Sequence, residues 1–521
     1  MVHVEPRLVA AIWITSFFAV APVGLQISVL NVPAPIIQAS VNASFYVQFG
    51  VYLTKVGSSF LWGLITSSMG VGALLGIGLL VPIEERFGRK NSLMVVSQAI
   101  LIGSSVLMGL ADVTSTFELL LIGRLGVGIY TGLSCALAPL FILEISPSEL
   151  RGSMGCSIHI NLCLGGAIGS VLSLPWIWGG SDSWPTLLSV PAILCALSTM
   201  GISVAIPDSP QQLLRQGHRA AAIDAVKYYV GRTDPAAIEE RLAEIVYEME
   251  SAPTQIGIVE AMQNSRTAKL MFIGGVVNFA QVFTGSMAVA SYSGTMLTGV
   301  HFSPALVPFV PTLASLASAI LTLPAIYLVE QSGRRQLFLG MLALCGVSQF
   351  AFFLTSVAGA SLPSLQQFFS VLFVLTFIPY GIGYNFGPGP LAFFLPGELV
   401  SPDAASAALA VGVAVNWLST TVSTLLYPPL QATLGGYAYL LFAIPTAVNS
   451  LYLYRVLPET KLDPVEHHST VTAAAARRSR TDSLTLSQSL LIGPVPGEEH
   501  QSAKQAAAIF RAHMRAAHNA T

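Results

Sequence analysis

Two residues are chemically costly where they sit. His159 and Arg124 interrupt stretches that are otherwise almost wholly apolar. A polar or ionisable group inside a membrane-length segment is a functional candidate by default. His159 is either a cavity-facing imidazole or one bonded to a neighbouring helix carbonyl. Arg124 is either a gating or coupling cation or, as we expect, a structural one held by carbonyls. A second set lies in short polar punctuation: Glu85, Arg89, Glu144 and Arg151, then Glu330, Arg334, Arg335 and Glu398. Carboxylates and guanidiniums at neighbouring helix ends can form a latch that breaks when a gate opens, or a static girdle of ion pairs. The run Gly387-Pro388-Gly389-Pro390 removes two backbone donors; it predicts a broken helix acting as an outer gate, with a plain kink as the alternative. The chain has no His-Glu-x-x-His, no intramembrane Asp pair and no nucleotide loop, so an enzyme is not expected, nor a metal or cofactor.

The elements that must carry these groups follow from composition. Of 521 residues 53% are hydrophobic and 10% charged, with a mean hydropathy of +0.69. A soluble domain carries roughly 25% charged residues, so a water-facing surface is out of reach and a nucleic-acid binder is excluded, while a net charge of -2 gives no global field to recruit a charged partner. Cys135, Cys156, Cys163, Cys195 and Cys345 all lie in apolar stretches and read as free thiols. A bilayer crossing needs about 20 apolar residues. Twelve such stretches run near 8–30, 60–82, 92–111, 117–143, 153–176, 185–206, 268–292, 304–329, 336–358, 366–395, 404–427 and 434–456. Of 24 Lys and Arg, all but Lys55 and Arg124 fall at the N-terminus, in alternate loops or in the tail. That bias places both termini in the cytoplasm, which requires an even number of crossings. The sequon Asn42-Ala43-Ser44 then lies outside as a glycosylation candidate.

The punctuation repeats. Arg89 and Arg334 are 245 residues apart, Glu144 and Glu398 are 254 apart, and Pro207 and Pro458 are 251 apart. The expectation is an all-α polytopic protein with two pseudo-symmetric six-helix bundles, 1–207 and 268–457. Between them lies a polar loop, 208–267, with short helices near 220–230 and 236–249. A largely disordered tail, 458–521, follows. Repeated halves with a site between them are the architecture of secondary transporters.

These strings also carry a resemblance. Glu85-Arg86-Phe87-Gly88-Arg89-Lys90, Gly123-Arg124, Glu144-Ile145-Ser146-Pro147 through Arg151-Gly152, and Pro207-Asp208-Ser209-Pro210 come first. Gly333-Arg334-Arg335, Gly387-Pro388-Gly389-Pro390, Asn416-Trp417 and Pro458-Glu459-Thr460-Lys461 follow in order. In these the chain resembles the sugar-porter branch of the major facilitator superfamily, specifically its glucose-facilitator (GLUT-type) members. The resemblance implies the fold of that superfamily and alternating-access movement of a monosaccharide through a cavity between the halves. It also maps the substrate-facing positions. Relatives usually carry Gln where this chain has His159, a second amide and an Asn where it has Val282 and Met287, an Asn at Ser318, a Glu at Asn385 and a Trp at Phe393. Gln281, Asn416 and Trp417 are retained, and a basic position after span ten is Ala405.

A hexose is a ring of hydroxyls with one apolar face. Amides offer it both a donor and an acceptor, and aromatic rings can cover the C–H face. Gln281, Thr284, Ser318, Asn385, Asn416 and His159 are the expected contacts, with Trp417 and Phe393 as walls. Proton coupling needs a group that titrates inside the membrane, and the first 54 residues hold one acid, Glu5, ahead of span one. Arg124 therefore lacks the span-one carboxylate that proton-coupled relatives use. Facilitative uniport at the plasma membrane is the expectation; a proton symporter and a transport-poor sugar sensor are the alternatives.

Overall fold

In hydrocarbon a backbone satisfies its own N–H and C=O groups by forming α-helices. A computed structural model describes residues 6–146, 151–231, 235–251 and 256–460, and among them the regular structure is helical throughout. Among the described residues nine helices are long and apolar enough to cross a membrane, one of them running on from Ala405 to Val456 over two segments. Ser157–Leu172 and Phe309–Ala325 are shorter apolar helices, so that twelve segments follow one another in the expected order. In the first half they are α1 (Pro6–Ser28), α2 (Lys55–Gly78), α3 (Arg89–Val113), α4 (Phe117–Ile145), α5 (Arg151–Leu172) and α6 (Trp184–Ala205). In the second half they are α7 (Ser265–Gly299), α8 (Phe309–Gln331), α9 (Arg334–Ser361), α10 (Gln366–Phe386), α11 (Ala405–Leu434) and α12 (Leu440–Val456).

Hydropathy placed most of these ends within five residues, whereas the ends of α7, α10 and α11 and the start of α12 lie six to nine residues from the expected bounds. α2 starts at Lys55 because the Thr54 hydroxyl accepts the Gly57 N–H at 3.1 Å and caps it. The first interhelical loop holds a helix of its own, Ala34–Phe49, which the sequence reading did not foresee. Between α6 and α7 the polar segment forms Pro210–Arg215, Arg219–Val230, Pro235–Ser251 and Ile258–Gln263. Arg219–Val230 is anchored on the first half: Ala225 and Tyr229 join the core built from Leu8, Leu137 and Phe141. The Tyr229 hydroxyl donates to the Pro207 carbonyl at 2.7 Å. The tail beyond 460 lies outside the described residues.

With lipid outside, helices attract one another by close packing and small residues. α2 and α4 pack most tightly through Gly72 and Gly128; a Cβ at either would collide with the facing backbone. The halves meet where α2 lies on α11 and α5 on α8. At the first seam a Cβ on Gly63 would sit 2.7 Å from the Leu425 carbonyl. The ends of the bundle differ. One, here the charged end, gathers Glu84, Arg89, Glu144, Arg334 and Glu398; the other is the far end.

Candidate functional site

The site is organised by a break in α7. Gly285 has φ +86°, a left-handed conformation that favours glycine, and splits the helix into Ser265–Phe283 and Ser286–Gly299. The groups freed by the break are satisfied locally. The Thr284 hydroxyl donates to the Gln281 carbonyl at 2.6 Å, and Gln349 on α9 donates to the Thr284 carbonyl at 2.6 Å. Thr284 is fully buried, so its hydroxyl serves the helix end.

One turn earlier, Gln281 joins three helices. Its Nε2 donates to the Tyr384 hydroxyl on α10 at 3.0 Å, and its Oε1 accepts from Asn416 on α11. Asn416 also faces the Asn278 Oδ1 at 3.4 Å, and Asn278 donates to the Gly274 and Ala392 carbonyls at 3.2 Å. Beside this cluster Ser318 on α8 donates to Asn385 Oδ1 at 2.8 Å, and Asn385 donates to the Gly381 carbonyl. The second half thus brings together four of the expected contacts as neutral amides and hydroxyls, each already oriented. Trp417 is buried beside Asn416 on the seam with α2, where Gly70 approaches its carbonyl.

From the first half, α5 contributes His159. Its ring lies 6.3 Å from that of Phe393, which is 48% exposed, and its Nε2 stands 3.7 Å from Cys163 Sγ. The imidazole makes no bond to a helix carbonyl through Nδ1, which is buried and unpartnered. Phe393 follows the Gly387–Pro390 break, which the sequence reading set at the outer gate. The break lies instead toward the charged end. The 21 residues of α10 climb about 1.5 Å each from the far end, so the helix crosses about 30 Å before it is interrupted.

Arg124 is 3% exposed. It donates to the Gln26 carbonyl at 2.7 Å, lies 3.5 Å from the Gln26 Oε1, and contacts the Met69 sulfur at 3.2 Å. Its partners on α1 and α2 are neutral: a backbone carbonyl, an amide oxygen and a thioether sulfur.

At the far end the halves are sealed by hydrogen bonds that the sequence did not single out. Asn31, just past α1, donates to the Ala290 carbonyl at 2.8 Å and the Ser293 hydroxyl at 2.7 Å, and accepts from the Gly294 N–H at 2.9 Å. The Thr66 and Tyr292 hydroxyls share a bond, and Tyr292 donates to the Thr424 carbonyl at 2.8 Å. Ser170 donates to Ser315 at 2.9 Å across the α5–α8 seam.

The charged end repeats one triad in each half. Arg89 pairs with Glu144, whose other oxygen accepts from Ser209 at 2.6 Å. Arg334 approaches Glu398 at 3.8 Å, and the same carboxylate accepts from Thr460 at 2.7 Å. The carboxylate of Glu459 caps α9, accepting the Arg334 N–H at 2.7 Å and the Arg335 N–H at 3.2 Å, and the Arg335 guanidinium donates to the Tyr454 carbonyl. These pairs stay within their own half. Arg89 also binds Glu84 and not the expected Glu85, which points to solvent from the outer face of the short helix Leu80–Phe87. The side chains of Arg151 and Glu330 lie outside the described residues. Burial holds the Asp208 carboxyl above its usual range despite the Ser209 N–H and the charges of Lys90 and Arg89. At the far end Asn42 is half-buried on the helix Ala34–Phe49. Its sequon partner Ser44 donates to the Ser115 carbonyl and accepts the Phe117 N–H at 3.0 Å.

Of the residues the sequence reading missed, Asn278 was within reach: it lies one turn before Gln281 on the same face. Tyr384, Asn31 and Tyr292 carried no spacing signal, because their partners come from distant helices.

Residues 12–471 match the family model described as Sugar (and other) transporter. The mouse solute carrier family 2, facilitated glucose transporter member 9, is 30% identical over 486 residues, 91% of this chain and 86% of that protein. The horse solute carrier family 2, facilitated glucose transporter member 5, is 28% identical over 468 residues, 88% of this chain and 90% of that protein. Among solved structures, the inward-open xylose transporter XylE of E. coli superposes with a TM-score of 0.70. That match covers 89% of this chain and 99% of XylE at 18% identity, a likeness of fold. A partially occluded inward-open form of the same transporter gives 0.68.

Proposed function

From the premise that this chain belongs to the sugar transporter family, we propose that it is a facilitative uniporter that moves a hexose or a similar monosaccharide by alternating access. The neutral cluster of Gln281, Asn416, Asn278 and Tyr384, set opposite α5, carries the reading. Its amides offer paired donors and acceptors to hydroxyls, and Ser318, Asn385 and His159 extend the polar surface beside Phe393 and Trp417. Bonds at the far end and half-internal ion pairs at the charged end support a conformer open at the charged end. By the positive-inside rule that end faces the cytoplasm, with both termini, in the plasma membrane. In the opposite conformer the far-end bonds break, and the triads around Arg89 and Arg334 draw together with Arg151, Arg335 and Glu330. Arg124, held by neutral Gln26, is structural and leaves no coupling carboxylate for a proton. A glycan on Asn42 has to be attached before Ser44 locks its helix to the loop after α3.

Purified protein in proteoliposomes is expected to exchange radiolabelled glucose or fructose in counterflow, at a rate unchanged by a protonophore when the membrane potential is clamped. Absence of exchange for every hexose in a competition panel refutes transport, and collapse of uptake with the protonophore refutes uniport.

A further inference from the structure

We infer that His159 and Cys163 form a binding site for a thiophilic divalent cation of the Zn2+ class, and that occupancy of this site blocks passage through the cavity. The two residues are spaced i, i+4 on α5 and so share one face. Both are half-buried, and Phe393, on the segment after α10, stands opposite His159 with the ring centroids 6.3 Å apart. The decisive quantity is the distance between the two ligand atoms. Zinc binds thiolate sulfur at about 2.3 Å and imidazole nitrogen at about 2.0–2.1 Å, and a tetrahedral angle between them sets sulfur and nitrogen ~3.6 Å apart. Cys163 Sγ and His159 Nε2 are 3.7 Å apart, so a cation can enter without moving the helix. A thiolate and an imidazole are ligands that such ions prefer over hard magnesium.

The pair is particular to this place. His159 is the only histidine within the spanning helices among the described residues, so Cys135, Cys195 and Cys345 have no imidazole one turn away. No group of three or more His, Cys, Asp or Glu gathers among the described residues, so two positions are left to water or to a sugar hydroxyl. On binding, the S–H bond breaks as the sulfur–metal bond forms. The proton passes to water in the cavity, and no electron is transferred. The bound ion sits where α5 faces the segment after α10, and it adds charge to a surface of neutral amides.

The experiment reads binding and transport separately, because only the second rests on the proposed uniport. Cd2+ is titrated into the full-length protein in detergent and followed by the ultraviolet thiolate-to-metal charge-transfer band, with Mg2+ as control. The unaltered protein and Cys135→Ser are expected to give a saturating band. Cys163→Ser and the volume-keeping Cys163→Val lose it, and His159→Ala weakens the affinity by about tenfold or more. In proteoliposomes Cd2+ inhibits counterflow, and its half-inhibitory concentration, taken against each variant's own uninhibited rate, rises by about the same factor. A band that survives in both Cys163 variants, or an affinity unchanged in His159→Ala, overturns the site. Binding without inhibition overturns the block. A protein that gives the band yet exchanges no hexose without metal supports the site and refutes the transport reading.

Discussion

Gln281→Leu keeps side-chain volume and removes both of the bonds through which Gln281 ties α7 to α10 and α11. Each such bond contributes about 0.5–1.5 kcal/mol net, so the pair is worth about 1–3 kcal/mol, or about five- to 150-fold in affinity. Binding weakens because the amides of Asn416 and Asn278 are no longer held in place before the solute arrives and must be ordered when it does. Asn416→Ala removes the same bond from the other side, together with its 3.4 Å contact to Asn278. The two substitutions share one interaction, so their losses cannot add. The double variant is expected to bind more tightly than additivity predicts by about 1 kcal/mol, roughly fivefold, within the usual range for residues in contact. The assay is equilibrium binding of labelled hexose to the four members of the cycle, with counterflow in proteoliposomes as the functional check. Losses that multiply, or a Gln281→Leu variant with unchanged affinity, refute the claim that these amides act as one preorganised surface.

Three further outcomes follow from the same geometry. Glu144→Gln removes one of the two carboxylates that hold the buried Arg89 guanidinium and leaves Glu84, so it is expected to destabilise the first half by about 1.5–3 kcal/mol, the worth of a hydrogen bond to a charged group. Arg219→Gln, in an exposed pair with Glu239, changes stability by about 0–1 kcal/mol, and melting curves in detergent separate the two. Asn31→Ala removes three far-end bonds and is expected to shift the population toward the conformer open at that end; faster labelling of a cysteine placed at Ala290 by an impermeant reagent added outside checks this, and unchanged labelling refutes it. The Asp208 carboxyl is raised by burial, so its folded form favours the proton and the charge costs stability once the pH rises through that value. Asp208→Asn is therefore expected to melt higher than the parent at neutral pH, with the difference closing as the pH falls into the carboxylate range.

Much of the candidate site was legible residue by residue, and the limits have physical reasons. Gln281, Asn416, Asn385 and Ser318 were expected as contacts and do fall into two bonded groups. Thr284 was expected among them, but the break at Gly285 turns its hydroxyl onto its own helix end. Which of the 45 glycines takes a positive φ inside a span, as Gly285 does, has no signature in hydropathy. Glu84 rather than Glu85 meets Arg89 because one residue of helical rotation, about 100°, decides which carboxylate faces inward.

The sequence by itself determined that the chain crosses a membrane, how many times, and that its halves repeat. Apolar length and the spacing of charges are one-dimensional quantities, and the bilayer reads them directly. Only the tertiary structure decided which polar groups meet. Asn31 finds Ser293 across 262 residues, and Asn416 finds Gln281 across 135. Such pairings depend on how each helix is rotated about its axis and which glycines let two backbones approach, and those are settled by packing all twelve helices at once.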